Sequence, residues 1–544
     1  MKRNASPTLL FAPACLGLFL ACSAASAGEA KVATAEAEKA DGYIDASGAT
    51  TSSFLAGKEE AKAPAGAKTL AFWKNGFFMV SRRRPLRLYD ARGKSADARG
   101  CADAVAEAGG LLWVLDAGAK TLEGYACVDA AGAEAVPEPR RKMGLSLAKP
   151  VAAAGGDDLF VLDAGSGTIV RFREGRAEGS LPAPSASTAD LAFDGTSLWA
   201  ADPKREAVYL LDGEGRVLVT GRPGFPPTGI AASGGRIFLL DGEGGRIVRF
   251  DVDRSCRFTL STKRTATIRG RVEGFGTTYL ALPVHLNRQR VLGPVRLHPP
   301  ATVVRDRWGQ RTAKFPAEVM FSTIEFRAEM YRIRYHVFPE AVGPMESVPE
   351  AVRRAYTVDG EMLDLDHPFV AGAAAEVLAE AARKPERQKA YWIARLAYAY
   401  TIRHVPYKRG ASWVSAPKAL KRGFATCSPI AFTFVAVCRA AGLPARFAAG
   451  TKYRGADPST DREFHRWPEA YLPGYGWIPV DASLPTYKDP DPAPWKVARS
   501  FGFLPDNTLI LMVGGGGSDI FGWGYNGVGR RVGFEWSEVE KEGR

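Results

Sequence analysis

The sequence lacks the features of membrane-spanning and metal-binding proteins. No segment after the amino terminus approaches 18 uninterrupted apolar residues, so we expect no membrane-spanning helix there. The turns at Asp212 and Asp241 lack the oxygen-ligand spacing of a calcium loop. Cys427, His465 and Asp481 have neither a fourth ligand nor a close ligand pair at zinc spacing. We therefore expect neither a metal nor any other cofactor.

A nucleic-acid-binding pattern is also absent. Lys and Arg number 72 against 59 Asp and Glu, which gives a net charge of +13. Such a surplus alone would attract nucleic acid, anionic lipid or an acidic envelope polymer alike. The densest basic runs, Arg82–Arg84 and Arg530–Arg531, have no accompanying stripe of aromatic and basic side chains. We interpret the charge as an arginine-rich solvated surface and expect no nucleic-acid partner.

What is present is the composition of an ordinary folded protein. Hydrophobic residues make up 46% and charged residues 24% of the chain, which excludes wholesale disorder and a multi-span membrane protein. The 544 residues correspond to three or four domains. We expect a multidomain protein that is mainly β, with an additional α+β domain.

The amino terminus predicts export. Lys2 and Arg3 precede an apolar stretch, Leu9 to Ala21, of the length typical of a secretory signal. Ala25–Ala27 offers small residues for ordinary cleavage, while a competing segment resembles a bacterial lipoprotein box that ends at Cys22. Both alternatives make residues 1–27 a signal region and place the mature chain in the bacterial cell envelope. It would be either periplasmic or attached to the membrane through a lipid at Cys22.

A repeat with a period near forty follows a segment that we interpret as a flexible tether, residues 28–64. Short apolar strands end 35, 47, 39 and 39 residues apart, and most are followed by a polar turn and a second strand. These strands end at Ser81, Asp116, Asp163, Asp202 and Asp241. The pattern resembles the NHL-like or YVTN-like repeats of β-propellers. It predicts a degenerate five-bladed β-propeller over residues 65–262, with one face available to a protein partner.

The periodicity changes twice after the repeats. Residues 263–345 alternate as strands, which predicts an antiparallel β-sandwich. Helical spacing then begins, with predicted helices at Val370 to Ala382 and at Arg387 to Ile402. We assign residues 346–520 to an α+β domain and residues 521–544 to a C-terminal tail.

Cys427 lies where a buried helix is predicted to start. The run from Ile430 to Ala441 is apolar almost all round and ends at Gly442. Thr426 is suited to cap this helix, and Cys427 falls in its first turn. Unpaired N–H groups and the positive end of the helix dipole stabilise a thiolate there, which makes Cys427 a candidate nucleophile. Cys438 is about 16 Å farther along the helix, too far to pair with Cys427, and we assign it to the core.

A predicted hairpin brings a histidine and an aspartate together. The strand from Phe464 to Leu472 is followed by a turn at Pro473 and by a second strand that ends at Asp481. A register centred on Pro473 places His465 opposite Asp481, with their Cβ atoms about 5 Å apart on one face. This separation allows a hydrogen bond between imidazole and carboxylate.

These segments together resemble the transglutaminase-like superfamily of papain-related cysteine enzymes. The resemblance rests on Gly423-Phe-Ala-Thr-Cys427, on the segment Cys438 to Phe447, and on His465-Arg-Trp-Pro-Glu-Ala-Tyr-Leu-Pro-Gly-Tyr-Gly-Trp-Ile-Pro-Val-Asp481. It covers about residues 263–520 when the preceding strand-rich segment is included. The sequence departs from the family at Ala425 and Thr426, where a glycine usually stands one or two residues before the cysteine.

The resemblance implies acyl transfer through a thioester. Cys427 would attack an amide carbonyl, His465 would move the proton, and Asp481 would orient the imidazole. The backbone N–H of Cys427 would bind the oxyanion, with the Trp413 side chain as a candidate second donor. We expect a protein or peptide substrate, including the stem peptides of the cell wall, and water as the acceptor. The activity would then be that of a peptidase, amidase or deamidase.

A second hypothesis keeps the fold and removes the chemistry. In it, the propeller holds a partner, and the transglutaminase-like domain is a catalytically silent scaffold of the envelope. Substitution of Cys427, His465 or Asp481 would favour that alternative, and all three residues are present.

Two further cysteines, Cys101 and Cys127, are candidates for a disulfide in an oxidising compartment.

Overall fold

The architecture is taken from a computed structural model, which describes residues 55–542 except 64–66, 74–75, 82–84, 91–94, 127–138, 157, 285 and 287. The predicted signal region, with its candidate lipid site at Cys22, lies outside the described residues. Residues 28–54 of the predicted tether also lie outside the described residues. Cys127 is also outside them, so the proposed pairing with Cys101 stays a prediction.

Five four-stranded antiparallel sheets form the first half of the described chain. The described part of the chain begins with β1 (Leu55–Lys62). The first two sheets follow: β2 (Ala67–Trp73), β3 (Gly76–Ser81), β4 (Pro85–Asp90), β5 (Ser95–Cys101), and β6 (Ala104–Ala108), β7 (Leu111–Asp116), β8 (Thr121–Ala126), β9 (Arg141–Gly144). The third and fourth sheets are β10 (Pro150–Gly155), β11 (Leu159–Asp163), β12 (Thr168–Arg173), β13 (Arg176–Pro182), and β14 (Asp190–Phe193), β15 (Leu198–Asp202), β16 (Ala207–Leu211), β17 (Val217–Gly221). The fifth contains β18 (Pro227–Ser233), β19 (Arg236–Asp241), β20 (Arg246–Val252) and β1.

The five sheets close into a ring, as in a β-propeller. The strands β2, β6, β10, β14 and β18 contact one another in this order, and β18 contacts β2. Small side chains such as Ala106, Ala153 and Ala231 line a narrow space shared by all five sheets, of about 40 Å³. Small residues allow the inner strands to approach this closely at the centre of the ring.

Strand β1 corrects the predicted tether, because Leu55–Lys62 pairs with β20 and completes the fifth sheet. The segment is rich in Lys and Glu, a composition that suggested a solvated linker. However, Leu55 is buried and the backbone groups of β20 gain partners along the ladder. Sheet pairing therefore overrides the local composition.

Two further sheets follow the ring. Their strands before the helices are β21 (Phe258–Glu273), β22 (Thr278–Ala281), β23 (Gln289–His298), β24 (Thr302–Arg305), β25 (Arg311–Phe315) and β26 (Phe321–Tyr335). The first sheet centres on β21 and β26, and the second joins β22, β24 and β25. Ile268 and Ile324 of the first sheet share a buried core with Leu280 and Phe315 of the second. The strands predicted from alternation are thus present, and they pack face to face.

The remaining elements alternate between helix and strand. The helices are α1 (Glu350–Tyr356), α2 (Pro368–Ala381), α3 (Lys389–His404), α4 (Ala416–Arg422), α5 (Cys427–Ala440) and α6 (Pro494–Arg499). The strands are β27 (Ala445–Lys452), β28 (Ser459–Asp461), β29 (His465–Leu472), β30 (Gly476–Pro479), β31 (Phe503–Leu504), β32 (Thr508–Gly514), β33 (Gly527–Val528) and β34 (Arg531–Glu542). The helices predicted near 370–382, 387–402 and 430–441 are confirmed within a few residues as α2, α3 and α5.

The predicted C-terminal tail is also corrected. Strand β34 pairs with β21 and β28, and β33 pairs with β22, so the end of the chain completes both sheets of the sandwich-like unit. Phe534 and Trp536 of β34 are fully buried in the shared core. The burial of these two aromatic side chains stabilises a segment that was assigned no structure.

The catalytic-domain candidate contains a central sheet in the order β30–β29–β27–β32. Helix α5 packs on β29 and β27, and nearly all of its side chains are buried. Among the described residues, no helix is long and apolar enough to cross a membrane. Within the same residues, no group of three His, Cys, Asp or Glu side chains is arranged to hold a metal ion.

Candidate active site

Cys427 is the first residue of α5 and is partly exposed. Thr426 is the N-cap residue with extended backbone, but its side chain makes no capping hydrogen bond. The first hydrogen bond of the helix runs from Ile430 N–H to Thr426 O, so the amides of the first turn have no partner within the helix. The thiol therefore lies beside the positive end of the helix dipole, as the sequence predicted.

Cys438 lies on the same helix but is fully buried. Burial in apolar surroundings raises the pKa of the Cys438 thiol far above its usual value. This thiol is therefore protonated and inert at neutral pH. Its assignment to the core is confirmed.

The hairpin that carries the other two candidate residues has a different register from the one predicted. Glu469 pairs with Pro479, and Leu472 pairs with Gly476, so the hairpin is centred on Gly474 and not on Pro473. Gly474 and Gly476 both have positive φ, and these positions set the turn. The prediction of directly opposite residues is therefore wrong by two positions in the pairing.

His465 and Asp481 nevertheless meet. The regular ladder ends at Pro479, and Val480 N–H donates to Pro468 O at 2.9 Å. A two-residue change in pairing leaves side chains on the same face, since strand side chains alternate with a period of two. The Nε2 atom of His465 lies 2.6 Å from Oδ2 of Asp481, and both side chains are buried.

Asp481 is held from several sides. Ser483 donates to Oδ1 through its hydroxyl at 2.6 Å and through its backbone N–H at 3.1 Å. The backbone N–H of Asp481 donates to Ser500 O at 3.0 Å. Burial acts to raise the pKa of this carboxyl, but His465, the charge of Lys452 and the Ser483 bond outweigh it and lower the pKa to about 2. Asp481 is therefore a fixed carboxylate at neutral pH.

Cys427 hydrogen-bonds to the His465 side chain. Because Nε2 of His465 faces Asp481, Nδ1 is the nitrogen left for the thiol. Burial acts to raise the pKa of Cys427, but the hydrogen bond and charge of His465, with the backbone N–H of Arg466, lower it to about 7. Burial and Lys452 act to lower the pKa of His465, yet Asp481 and Cys427 raise it overall. The site thus favours a thiolate paired with an imidazolium.

Arg466 contacts the site through both its backbone and its side chain. Its backbone N–H contacts the thiol, and its buried Nη2 donates to Trp523 O at 2.6 Å. The guanidinium carbon lies 4.4 Å from the ring centroid of Tyr525 and 5.2 Å from that of Phe432 in α5. These contacts connect the strand of His465 to the helix of Cys427.

Tyr525 reaches the site from a segment that was assigned to the C-terminal tail. Its hydroxyl hydrogen-bonds to the side chain of Ser428, which follows the nucleophile. Burial and the nearby Cys427 charge raise the pKa of Tyr525 to about 12, so the hydroxyl stays neutral. No local motif marks Tyr525 in the sequence, whereas the Asp481-Ala-Ser483 spacing is a signal for an Asx-type turn that was overlooked.

Two pairs of aromatic side chains belong to the neighbourhood of the site. The charge of Cys427 acts on Tyr407, whose ring centroid lies 4.9 Å from that of Tyr487. Trp413 is exposed and packs edge-on against Phe432, with ring centroids 5.3 Å apart. Its role as an oxyanion donor stays a prediction. The amide of Cys427 belongs to the first turn of α5, and its role as an oxyanion donor also stays a prediction.

Part of the chain is similar to a known family and to several solved structures. Residues 374–482 match the family model of the transglutaminase-like superfamily, a range that includes Cys427, His465 and Asp481. No curated protein matches the chain. Similar solved structures include a putative cysteine protease from Cytophaga hutchinsonii, with 16% identity, a TM-score of 0.33, and coverage of 52% of this chain and 90% of that one.

Two other solved structures are similar to parts of the chain. A glutaminyl cyclase from Myxococcus xanthus shares 18% identity, with a TM-score of 0.30 and coverage of 36% of this chain and 97% of that one. A streptogramin B lyase shares 12% identity, with a TM-score of 0.24 and coverage of 36% and 73%. The family match and the site geometry agree with the resemblance seen in the sequence. Residues 374–482 are a transglutaminase-like domain.

Proposed function

We propose that this protein is an exported cysteine hydrolase that cleaves amide bonds of protein or peptide substrates. The observation that carries the proposal is His465 held between Cys427 and Asp481, with a thiol pKa of about 7. A cysteine with so low a pKa is a strong nucleophile at neutral pH. A peptidase, an amidase and a deamidase all use this chemistry, and the substrate differs between them.

The proposed reaction has two steps. The Cys427 thiolate attacks the carbonyl carbon of the amide, and the backbone N–H of Cys427 binds the oxyanion. The His465 imidazolium gives its proton to the leaving amine as the C–N bond breaks, which leaves a thioester. His465 then takes a proton from water, the hydroxide attacks the thioester, and the acid is released with the thiolate restored. Asp481 stabilises the imidazolium and keeps the ring oriented.

The other units would support the enzyme outside the cytoplasm. We propose that the five sheets of the ring are the blades of a β-propeller that binds a protein partner. The two-sheet unit would be a β-sandwich that joins the propeller to the catalytic domain. The signal-like amino terminus supports a periplasmic protein or a lipid-anchored one. Stem peptides of the cell wall are then accessible substrates.

Labelling of the thiol with iodoacetamide tests the proposal. We expect labelling of Cys427, located by mass spectrometry, to rise as the pH passes through about 7. In His465→Ala, the pKa returns towards the ~8.5 of a free cysteine, so labelling at pH 7 falls by roughly ten-fold or more. Buried Cys438 in the same sample is an internal control and stays unlabelled.

The opposite result supports the silent-scaffold alternative. If Cys427 stays inert, or titrates like a free thiol in both proteins, the enzyme hypothesis is wrong. If Cys427 is activated, peptide substrates are then compared with and without a primary amine. Release of free acid in both samples supports hydrolysis, whereas incorporation of the amine would show transfer to an amine acceptor.

A further inference from the structure

A cavity separate from the Cys427 site lies where three parts of the fold meet. It has a volume of about 600 Å³ and is lined by β16 and β17 of the ring, by β21 and β26 of the first sandwich sheet, and by the segment from α6 to β31. Five arginines line it, and no Asp or Glu does: Arg205, Arg222, Arg332, Arg334 and Arg499. None of these arginines takes part in the Cys427 site.

The positive charge of this arginine cavity is only partly balanced. Arg205 lies 3.5 Å from Asp202, and Arg332 lies 3.9 Å from Asp506, both outside the lining. Among the described residues, no carboxylate forms an ion pair with the other three arginines of the cavity. The Nε of Arg332 is buried without a hydrogen-bond partner. Like charges placed together with few counterions repel one another.

The electrostatic effect on Arg334 reflects this crowding. Burial and the charges of Arg499, Arg222 and Arg332 lower the pKa of Arg334 to about 9. Arg334 is half-buried, whereas Arg222 and Arg499 are exposed, so the cavity is open to solvent. A negatively charged ligand entering it would relieve the repulsion.

Packing holds several of the arginines in position. The guanidinium carbon of Arg205 lies 4.4 Å from the ring centroid of Trp495, and that of Arg334 lies 4.5 Å from the ring centroid of Phe503. Tyr209 and Thr262 also belong to the lining, and their hydroxyl groups donate to Asp202 and Asp506. The planar guanidinium groups are therefore the available donors, and their geometry is suited to binding the paired oxygens of phosphate or carboxylate groups.

We propose that the arginine cavity binds a small anion that carries several phosphate or carboxylate groups. Such a ligand would contact the ring, the sandwich-like unit and the segment from α6 to β31 at once and would stabilise their arrangement. Arg499 directly precedes Ser500, whose carbonyl accepts the backbone N–H of Asp481. The proposal rests on the cavity alone and does not depend on the chemistry of Cys427.

The test measures binding of pyrophosphate and of citrate to the full chain by titration calorimetry, at an ionic strength held constant with sodium chloride. We expect at least one of them to bind, and the comparison distinguishes phosphate from carboxylate chemistry. Arg334→Gln and Arg499→Gln should each weaken binding by about ten-fold or more. Arg531→Gln, which removes an exposed arginine far from the cavity, is the matched control and should bind like the original chain.

Thermal unfolding gives an independent readout. Without ligand, Arg334→Gln should unfold at a higher temperature than the original chain, since the variant removes repulsion. The anion should raise the unfolding temperature of the original chain by more than that of the variant at the same anion concentration. Absence of binding for both anions, or equal binding to the original chain and both cavity variants, would overturn the proposal. Cys427→Ser should bind the anion unchanged, which separates this test from that of the hydrolase.

Discussion

At Cys427, burial and polar contacts have opposite effects on one thiol. Burial disfavours the thiolate, whereas His465 and the Arg466 amide stabilise it, and the polar contacts dominate. Their advantage depends on the orientation of His465, which in turn depends on Asp481. The ion pair is therefore present above a pH of about 7 and is lost as the pH rises through the elevated pKa of His465.

Ser483 is expected to act as a positioning residue. Ser483→Ala removes the hydroxyl that donates to Oδ1 of Asp481 at 2.6 Å, a charged hydrogen bond of about 1.5–3 kcal/mol. We expect iodoacetamide labelling of Cys427 at pH 7 to slow by roughly five- to ten-fold, with its pH midpoint moved upward. The fold should be retained, as checked by circular dichroism.

Ser255→Ala is the matched control for this change. Ser255 donates to Oδ1 of Asp253, also at 2.6 Å, but on an exposed turn near the end of the ring. Its loss should leave labelling of Cys427 unchanged. Equal effects of the two substitutions would show that Ser483 does not act through the site.

At the scale of elements, a close contact between strands keeps His465 in place. Gly450 of β27 pairs with His465 of β29, and a Cβ at this position would collide with the carbonyl oxygen of Leu509 in β32. The nearest atoms at this position belong to the backbone of Leu509 and Ile510, so β32 cannot move away from β27 without breaking the hydrogen bonds between the two strands. The glycine therefore permits three strands to pack beside the candidate catalytic histidine.

Gly450→Ala is expected to lower the unfolding temperature strongly and to abolish Cys427 labelling at pH 7. Gly372→Ala is the control, because Gly372 is exposed within α2 and a Cβ there contacts nothing within 4 Å. That change should stabilise the protein by about 0.5–1 kcal/mol, since alanine favours the helix. Differential scanning calorimetry measures both effects. A Gly450→Ala protein as stable as the original would contradict the role of the close contact.

Strand β1 should be essential to the ring. A chain beginning at residue 64 would leave one edge of β20 unpaired, while the other edge stays paired with β19, and would expose Val248 and Phe250, which are now buried. We expect a lower unfolding temperature and aggregation detected by size-exclusion chromatography. A chain beginning at residue 50 keeps β1 and should behave like the longer protein. Similar behaviour of the two truncated proteins would show that β1 is dispensable.

At the scale of the whole molecule, the proposed export would determine which substrates the proposed enzyme meets. When the full chain is expressed in a bacterium, we expect the mature protein to lack its first 21 or 27 residues. Intact-mass spectrometry measures this and also separates a lipidated Cys22 from ordinary cleavage. A protein that retains Met1 in the soluble cell fraction would contradict export.

Much of the local structure follows from the sequence. The helices α2, α3 and α5 were predicted from apolar spacing and from Gly and Pro signals, because these act within a few residues. The contact of His465 with Asp481 was also accessible, since both belong to one hairpin. An error of two positions in the pairing was harmless because it preserved the face of each side chain.

The contacts that the sequence did not predict join residues that are far apart along the chain. Tyr525 approaches Ser428 from nearly one hundred positions away, and β34 reaches β21 from more than 250. The arginine cavity collects side chains from the ring, the sandwich-like unit and α6. None of these contacts leaves a periodic pattern in the sequence. The composition of these segments therefore predicted only a tether, a tail or a solvated surface.

The sequence by itself determined the identity and order of the three candidate site residues, together with the helix start and the hairpin that carry them. It did so because short-range periodicity, capping and turn chemistry depend on neighbouring residues. Only the tertiary structure decided the state of the thiol, the closure of the ring by β1 and the gathering of five arginines around one cavity. Burial, long-range pairing and electrostatics depend on which distant segments meet, and packing settles that.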